Sequence, residues 1–219
     1  YKVTGVQTCA LPIYLPEEIA KIAAVADLLH IDVMDNLFVP NFTFDATKVS
    51  EIVESSVLPS DLHLMIDEVD RTVNPYLQTN AASITIHYEA SHEPSETLKR
   101  IRSSGKRSGL AIKPATSFDA ITEFVDHVDM ILIMTVEPGF GGQSFMHEMM
   151  MKVEKARKYL DQKGLNSAWL QVDGGISLET ISVARRAGAD TFVAGSAVYK
   201  SEDPAAMVEK LRELAKDTK

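Results

Sequence analysis

From Leu15 onward, short apolar runs alternate with longer stretches in which apolar residues recur at helical spacing. The short runs predict strands over Leu28–Met34, Asp61–Ile66, Ser83–His87, Arg107–Ile112, Met130–Met134, Ala168–Val172 and Thr191–Ala194. The amphipathic stretches predict helices over Pro16–Ala26, Ala46–Ser55, Val69–Thr79, Glu96–Ser104, Phe118–Phe124, Met146–Lys163, Leu178–Ala187 and Asp203–Ala215. Glu18 and Lys21, like Lys48 and Glu51, mark the solvent side of such helices, and Gly164 and Gly188 follow helix ends as C-caps do. Strict alternation of strand and helix gives parallel strands joined by right-handed crossovers. Seven strands and eight helices are visible, beginning with a helix, so one first strand completes a (β/α)8 TIM barrel. An open doubly wound sheet is the alternative. No glycine-rich turn follows the first visible strand, however, and polar residues recur at several strand ends, as in barrels.

The segment where that first strand belongs has a different character. Residues 3–13 carry neither helical nor strand periodicity, and they match one reading frame of a common short-read sequencing adapter. The expectation is a non-native segment over residues 1–13, with the first strand missing or replaced, and a single barrel domain over 14–219.

Bulk properties narrow the function classes. The 219 residues fit one large domain, with 45% hydrophobic and 24% charged residues. A net charge of −9 argues against nucleic acid as a partner. No apolar run reaches the roughly 20 residues of a membrane span, so no membrane partner is expected. No secretory signal is visible, and Cys9 is the only cysteine, so a cytoplasmic setting is expected.

Candidate chemistry lies at the strand ends. Leu28-Leu29-His30-Ile31-Asp32-Val33-Met34-Asp35 places His30, Asp32 and Met34 on one strand face, and His63 and Met65 share a face in the next strand. Asp173 closes the strand that runs into Gly174 and Gly175. A buried face carrying two imidazoles and two carboxylates needs a partner, and one divalent metal ion, Zn, Fe, Mn or Co, suits that donor set better than calcium. Two glycine-rich turns, Gly174-Gly175-Ile176-Ser177 and Ala194-Gly195-Ser196-Ala197, follow late strands and lead into helices. That is where barrels bind phosphate. A third turn, Glu137-Pro138-Gly139-Phe140-Gly141-Gly142-Gln143, has the make-up of a loop that closes over a substrate.

Taken together, these motifs resemble the ribulose-phosphate 3-epimerase family. The resemblance rests on His30-Ile31-Asp32-Val33-Met34-Asp35, Phe38-Val39-Pro40-Asn41, Asp61-Leu62-His63-Leu64-Met65, Met134-Thr135-Val136-Glu137-Pro138-Gly139-Phe140-Gly141-Gly142-Gln143, Val172-Asp173-Gly174-Gly175-Ile176 and Ala194-Gly195-Ser196-Ala197. It runs from about Leu15 to near the C-terminus. It implies a barrel of the ribulose-phosphate-binding type and a metal-dependent epimerase. Such an enzyme interconverts D-ribulose 5-phosphate and D-xylulose 5-phosphate in the pentose phosphate pathway. Carried over by motif, His30, Asp32, His63 and Asp173 would hold the metal, and Asp32 and Asp173 would be the acid–base pair. Met34, Met65 and Met134 would line the reacting face. Gly142, Gly175, Gly195 and Ser196 would bind the phosphate of a phosphosugar, with Gly139, Gly141 and Gly174 in the same loops. A homo-oligomer is also expected.

Two departures stand out. Asn36 replaces the family's usual glycine, a position where Asn tolerates left-handed backbone. The family's first strand carries a serine near the site, and Thr4 and Thr8 are not credible replacements for it. Other readings remain open: an epimerase of a six-carbon ketose phosphate, a Schiff-base aldolase using Lys113, or an inactive phosphosugar-binding fragment. Among the remaining residues, His87 reads as a hydrogen-bonded structural histidine bordering the site. His92, His127 and His147 read as solvated, Met149-Met150-Met151 as packing, and Trp169 as core. Asp35 is expected to orient a histidine or cap a turn.

Overall fold

Among the described residues, eight parallel strands form one sheet that curls into a nearly closed barrel, with helices on its outside. The computed structural model describes residues 2–5 and 15–218. The strands are β1 (Lys2–Gly5), β2 (Leu29–Met34), β3 (Ser60–Met65), β4 (Ser83–His87), β5 (Arg107–Ile112), β6 (Met130–Met134), β7 (Trp169–Asp173) and β8 (Thr191–Ala194). Each of β2 to β7 pairs in parallel with the next, and β1 pairs with β8 through Lys2 opposite Thr191 to Gly5 opposite Ala194. β1 also comes close to β2, though the sheet order shows no ladder between them.

The predicted elements are recovered from β2 onward, within a few residues at their ends. The helices are α1 (Leu15–Ile22), α2 (Ala46–Ser55), α3 (Val69–Thr72), α4 (Asn74–Leu77), α5 (Pro94–Ser103), α6 (Met150–Gln162), α7 (Ile181–Arg186), α8 (Ser196–Tyr199) and α9 (Pro204–Asp217). Residues 118–127 form a 3₁₀ helix. The single helix expected over Val69–Thr79 is instead two short ones. Pro75, in the first turn of α4, lacks the N–H that would bond to the turn before it. At the place of the first strand, expected to be missing or replaced, the structure has a strand. Residues 2–5 of the irregular segment form a strand that occupies the missing place along β8. The rest of that segment, including Gln7, Thr8 and Cys9, lies outside the described residues.

Alternation along the strands produces two different interiors. Leu29, Ile31 and Val33 of β2, Leu62 and Leu64 of β3, Ile84 and Ile86 of β4, and Phe192 of β8 face outward and are buried under the helices. They join Ile22, Val49, Ile52, Ile101, Val153 and Leu211 in one continuous apolar shell. The opposite set of positions points into the barrel. It carries His30, Asp32, Asp61, His63, Ser83, Thr85, His87, Gln171, Asp173 and Thr191, all buried. The shell supplies the hydrophobic stabilisation, which leaves the lumen free to hold polar groups in fixed positions.

Two packing expectations need correction. Trp169 is only half-buried, because it lies at the start of β7 where the Arg107 guanidinium stacks on its ring at 3.4 Å. Met149 and Met150 pack inward, but Met151 lies on the outer side of α6 at 75% exposure. Among the described residues no helix is long and apolar enough to cross a membrane.

Phe192 is fully buried where β8 meets the helical shell. Phe192→Ala is expected to reduce unfolding free energy by about 3–5 kcal/mol, through lost transfer energy and a residual cavity. Urea denaturation followed by circular dichroism measures this. A change within about 0.5 kcal/mol, the range of an ordinary surface substitution, would show that β8 is not packed as described.

Candidate metal centre and active site

The C-terminal half of the lumen gathers the four sequence-predicted ligands from three strands. His30 and Asp32 come from β2, His63 from β3 and Asp173 from β7. One donor atom from each lies within 4.8 Å of the others, and all four side chains are buried. His30 Nε2 is 3.4 Å from Asp32 Oδ1 and 3.8 Å from Asp173 Oδ2. His63 Nδ1 is 2.8 Å from Asp32 Oδ1 and 3.8 Å from Asp173 Oδ2. The register explains the convergence: Asp32 pairs with His63 across β2 and β3, and the parallel ladder keeps neighbouring inward positions side by side.

A divalent ion fits this donor set. His30 Nε2 is buried and has no hydrogen-bond partner among the described residues, although buried polar atoms are rarely left so. Its other ring nitrogen, Nδ1, lies 2.8 Å from Asp61 Oδ2. Asp61 is held in turn by Ser83 Oγ, which donates to Oδ1 at 2.5 Å, and by Gln171 Nε2, which donates to Oδ2 at 3.0 Å. An imidazole that donates from Nδ1 to a carboxylate presents Nε2 as a lone pair, the usual arrangement of a metal-binding histidine.

The electrostatics separate the two carboxylates. For Asp32, burial opposes ionisation, but the neighbouring imidazoles of His30 and His63 outweigh it and hold the acid well below its ordinary range. For Asp173, burial and then the neighbouring Asp32 charge raise the carboxyl to about 6. Burial works against charging His30 too, yet the neighbouring Asp32 and Asp61 carboxylates hold its pKa well above the ordinary histidine value. Asp61 stays below the ordinary carboxylate value, its burial outweighed by His30, Gln171 and Ser83.

The three methionines lie on the inner walls beside this cluster. Met34 and Met65 are cross-strand partners at the ends of β2 and β3, and pack with Val39. Met134 is opposite Asp173 and packs with Ala111, Leu132 and Val136. All three are buried. A small pocket leads away from Asp173. Gly142, Gly174, Gly175, Gly195 and Ser196 line it together with Phe140. Gly175 has φ of +66°, and a Cβ there would meet the Phe145 backbone nitrogen at 2.6 Å. Only glycine leaves this turn its shape. Gly139 and Gly141 are not on that wall. The Gly139 carbonyl instead accepts from Asn41 Nδ2 at 3.0 Å, and that bond ties the loop after β6 to the loop after β2.

Several supporting residues escaped the sequence reading. Asp61, rather than Asp35, orients a histidine. Asp35 takes the second role foreseen for it: Oδ1 accepts from the backbone N–H groups of Leu37 and Phe38, and Oδ2 from that of Asp67. Asn36 adopts φ of +61°, as its residue type allows. A usable signal for Asp61, Ser83 and Gln171 did exist. Each lies on the same strand face as a polar residue already singled out or noted: His63, His87 and Asp173. His87 is buried and hydrogen-bonded, and it borders the cluster directly.

Comparison with known proteins agrees with this geometry. The model of the ribulose-phosphate 3 epimerase family matches residues 7–199. The ribulose-phosphate 3-epimerase of Mycobacterium leprae is 44% identical over 196 residues, covering 90% of this chain and 87% of that protein. The ribulose-phosphate 3-epimerase of Escherichia coli strain K12 is 40% identical over 205 residues, with 92% and 91% covered. Among solved structures, a 3-hexulose-6-phosphate synthase superposes with a TM-score of 0.68 at 18% identity, over 98% of this chain and 99% of the other, a likeness of fold. With a family model spanning most of its length and relatives this similar, the chain belongs to the ribulose-phosphate 3 epimerase family.

Proposed function

We propose that this protein is an epimerase of 2-ketose phosphates, interconverting D-ribulose 5-phosphate and D-xylulose 5-phosphate by proton transfer at C3. The observation that carries the reading is the paired placement of Asp32 and Asp173, two buried carboxylates from different strands around one His/Asp cluster. Inversion beside a carbonyl requires one group to remove the C3 proton and another to return a proton to the opposite face. Asp32, held ionised by its histidine neighbours, is suited to accept a proton, and Asp173, raised to about 6, to hold one. The roles exchange in the reverse direction. His30, Asp32, His63 and Asp173 would hold one divalent ion, Zn, Fe, Mn or Co. When bound, it supplies Lewis-acid stabilisation of the oxygens that gain negative charge as the proton leaves.

The methionines supply a wall that excludes water and brings no competing acid. The phosphate would occupy the pocket of Gly142, Gly174, Gly175, Gly195 and Ser196, where a glycine turn lets backbone N–H groups approach closely. Gly139 and Gly141 would serve through the loop that covers it. The residues before Tyr14 remain, in this reading, a foreign segment in the place of the family's own first strand.

Three outcomes are expected. Purified protein should carry about one divalent ion per chain, and His63→Ala should lose most of it on dialysis, because three ligands do not close the site. Elemental analysis of both proteins decides this. Full occupancy in the variant removes His63 from the ligand set.

Asp173→Asn should keep the fold and lose roughly 10²–10⁴-fold of turnover in both directions. Solvent deuterium exchange at C3 should be suppressed more from one epimer than from the other. Equal, near-normal exchange from both would take Asp173 out of the mechanism.

Ser196→Ala should raise KM with little change in kcat, since the pocket binds the phosphate equally in ground and transition states. The free ketose should be a very poor substrate. Comparable rates on free and phosphorylated five-carbon ketoses would refute the phosphate pocket, and faster turnover of a six-carbon ketose phosphate would reassign the substrate.

A further inference from the structure

A line of polar contacts runs from the candidate metal centre outward to the end of β5. His63 Nε2 lies 2.9 Å from His87 Nε2, and the two rings stack with centroids 5.0 Å apart. His87 Nδ1 lies 3.2 Å from Glu89 Oε2. The other Glu89 oxygen, Oε1, accepts from the Lys113 backbone N–H at 2.8 Å and from the Thr116 hydroxyl. The ring of Phe38 packs against His87 from the loop side, with centroids 4.9 Å apart.

With both histidines neutral and Glu89 ionised, proton counting along this line leaves one pattern. A carboxylate only accepts, and a neutral imidazole has one donor and one acceptor nitrogen. Glu89 Oε1 faces two donors, which suits its ionised form. His87 must then carry its proton on Nδ1 and donate to Oε2. Its Nε2 becomes an acceptor, so the facing His63 Nε2 must be the donor. That assignment leaves the lone pair of His63 on Nδ1, the nitrogen 2.8 Å from Asp32 Oδ1 and within the four-ligand cluster. In this tautomer Nδ1 and Asp32 Oδ1 are both acceptors, the arrangement that a divalent ion bound by the cluster would require; a proton on Nδ1 donated to Oδ1 is the arrangement that competes with it.

We infer that Glu89 and His87 are positioning residues that fix the tautomer of His63, so that Nδ1 is presented to the divalent ion. Neither residue is a ligand. Without Glu89 the His87 proton is free to move to Nε2, and His63 then adopts the tautomer protonated on Nδ1, which competes with metal. Partners of this kind behind a liganding histidine are worth roughly 10–100-fold in metal affinity. The inference rests on the metal reading above, and its test separates the two.

The probe is Zn²⁺, titrated into chelator-stripped protein against a fluorescent chelator. Wild type is compared with Glu89→Ala, Glu89→Gln and His87→Phe, the last keeping a ring in the stack. The apparent Kd should rise about 10–100-fold in Glu89→Ala and His87→Phe, while kcat at saturating zinc stays near wild type. Glu89→Gln should fall between, because its amide oxygen still accepts from His87 while its amide N–H₂ faces two donors. In ¹⁵N-histidine-labelled, metal-free protein, the wild-type His63 signals should show protonated Nε2. Glu89→Ala should shift population toward protonated Nδ1. Circular dichroism identifies any variant that fails to fold, and the remaining variants then decide. Wild-type zinc affinity and unchanged His63 signals in the folded variants would overturn the inference. So would a loss of kcat at saturating zinc with unaltered affinity. A wild-type chain that binds none of Zn²⁺, Fe²⁺, Mn²⁺ and Co²⁺ overturns the metal reading itself.

Discussion

Burial of four ionisable side chains around one point is the constraint on which the rest of this structure turns. His30, Asp32, His63 and Asp173 are each at most 2% exposed. Removing such groups from water is costly unless charge and hydrogen bonds offset it. Each therefore has to be supplied with partners, and most of the polar lumen does so. Asp61 fixes His30, Ser83 and Gln171 fix Asp61, and His87 with Glu89 back His63. The polar residues from β2, β3, β4 and β7 thus form one connected network. A network of this kind is rigid when complete, and a constellation meant to hold an ion and pass protons needs that rigidity.

The barrel tolerates a polar lumen because its stability is built elsewhere. The outward positions of the same strands join the helices in one apolar shell, and small loop devices fix the strand ends. Thr43 Oγ1 donates to the Asp32 carbonyl and accepts from the Met34 N–H, so a loop residue holds the strand end that carries a ligand. Asp70 accepts from the Ser91 and Thr97 hydroxyls and from the N–H groups of His92 and Glu93. It thereby locks α3 to the start of α5. Its acidity is raised accordingly, these bonds outweighing partial burial. Contacts like these hold the mouth of the barrel in register without placing anything in the lumen.

The phosphate end of the proposed site depends on backbone shape more than on charge. Gly174 and Gly175 both have positive φ, and a Cβ on Gly174 would fall 2.5 Å from a Val136 methyl. The turn can therefore lie close against the β6 strand end and line the pocket. Thr135 adds to this closeness by donating from Oγ1 to the Asp173 and Gly174 carbonyls. The carboxylate proposed to move a proton and the turn proposed to hold the phosphate are adjacent in sequence, so anchoring one anchors the other.

The amino-acid sequence alone determined the strand and helix order from β2 onward, because period-two and helical hydrophobic patterns are local properties of the chain. It also determined which residues could serve as ligands, since His30 and Asp32, or His63 and Met65, share a strand face by geometry alone. It could not show that Val69–Thr79 would break at Pro75. Nor could it show that residues 2–5, poor in strand pattern, would pair with β8, since an unpaired sheet edge recruits whatever backbone lies beside it. Above all, the sequence left the partners of the ligands undetermined. Asp61 and Gln171 are 110 positions apart, and His63 and His87 are 24 apart. Only closure of the sheet brings their faces to one lumen. Hydrogen bonds between such distant side chains depend on register and strand tilt, quantities set by the whole barrel and by no segment of it.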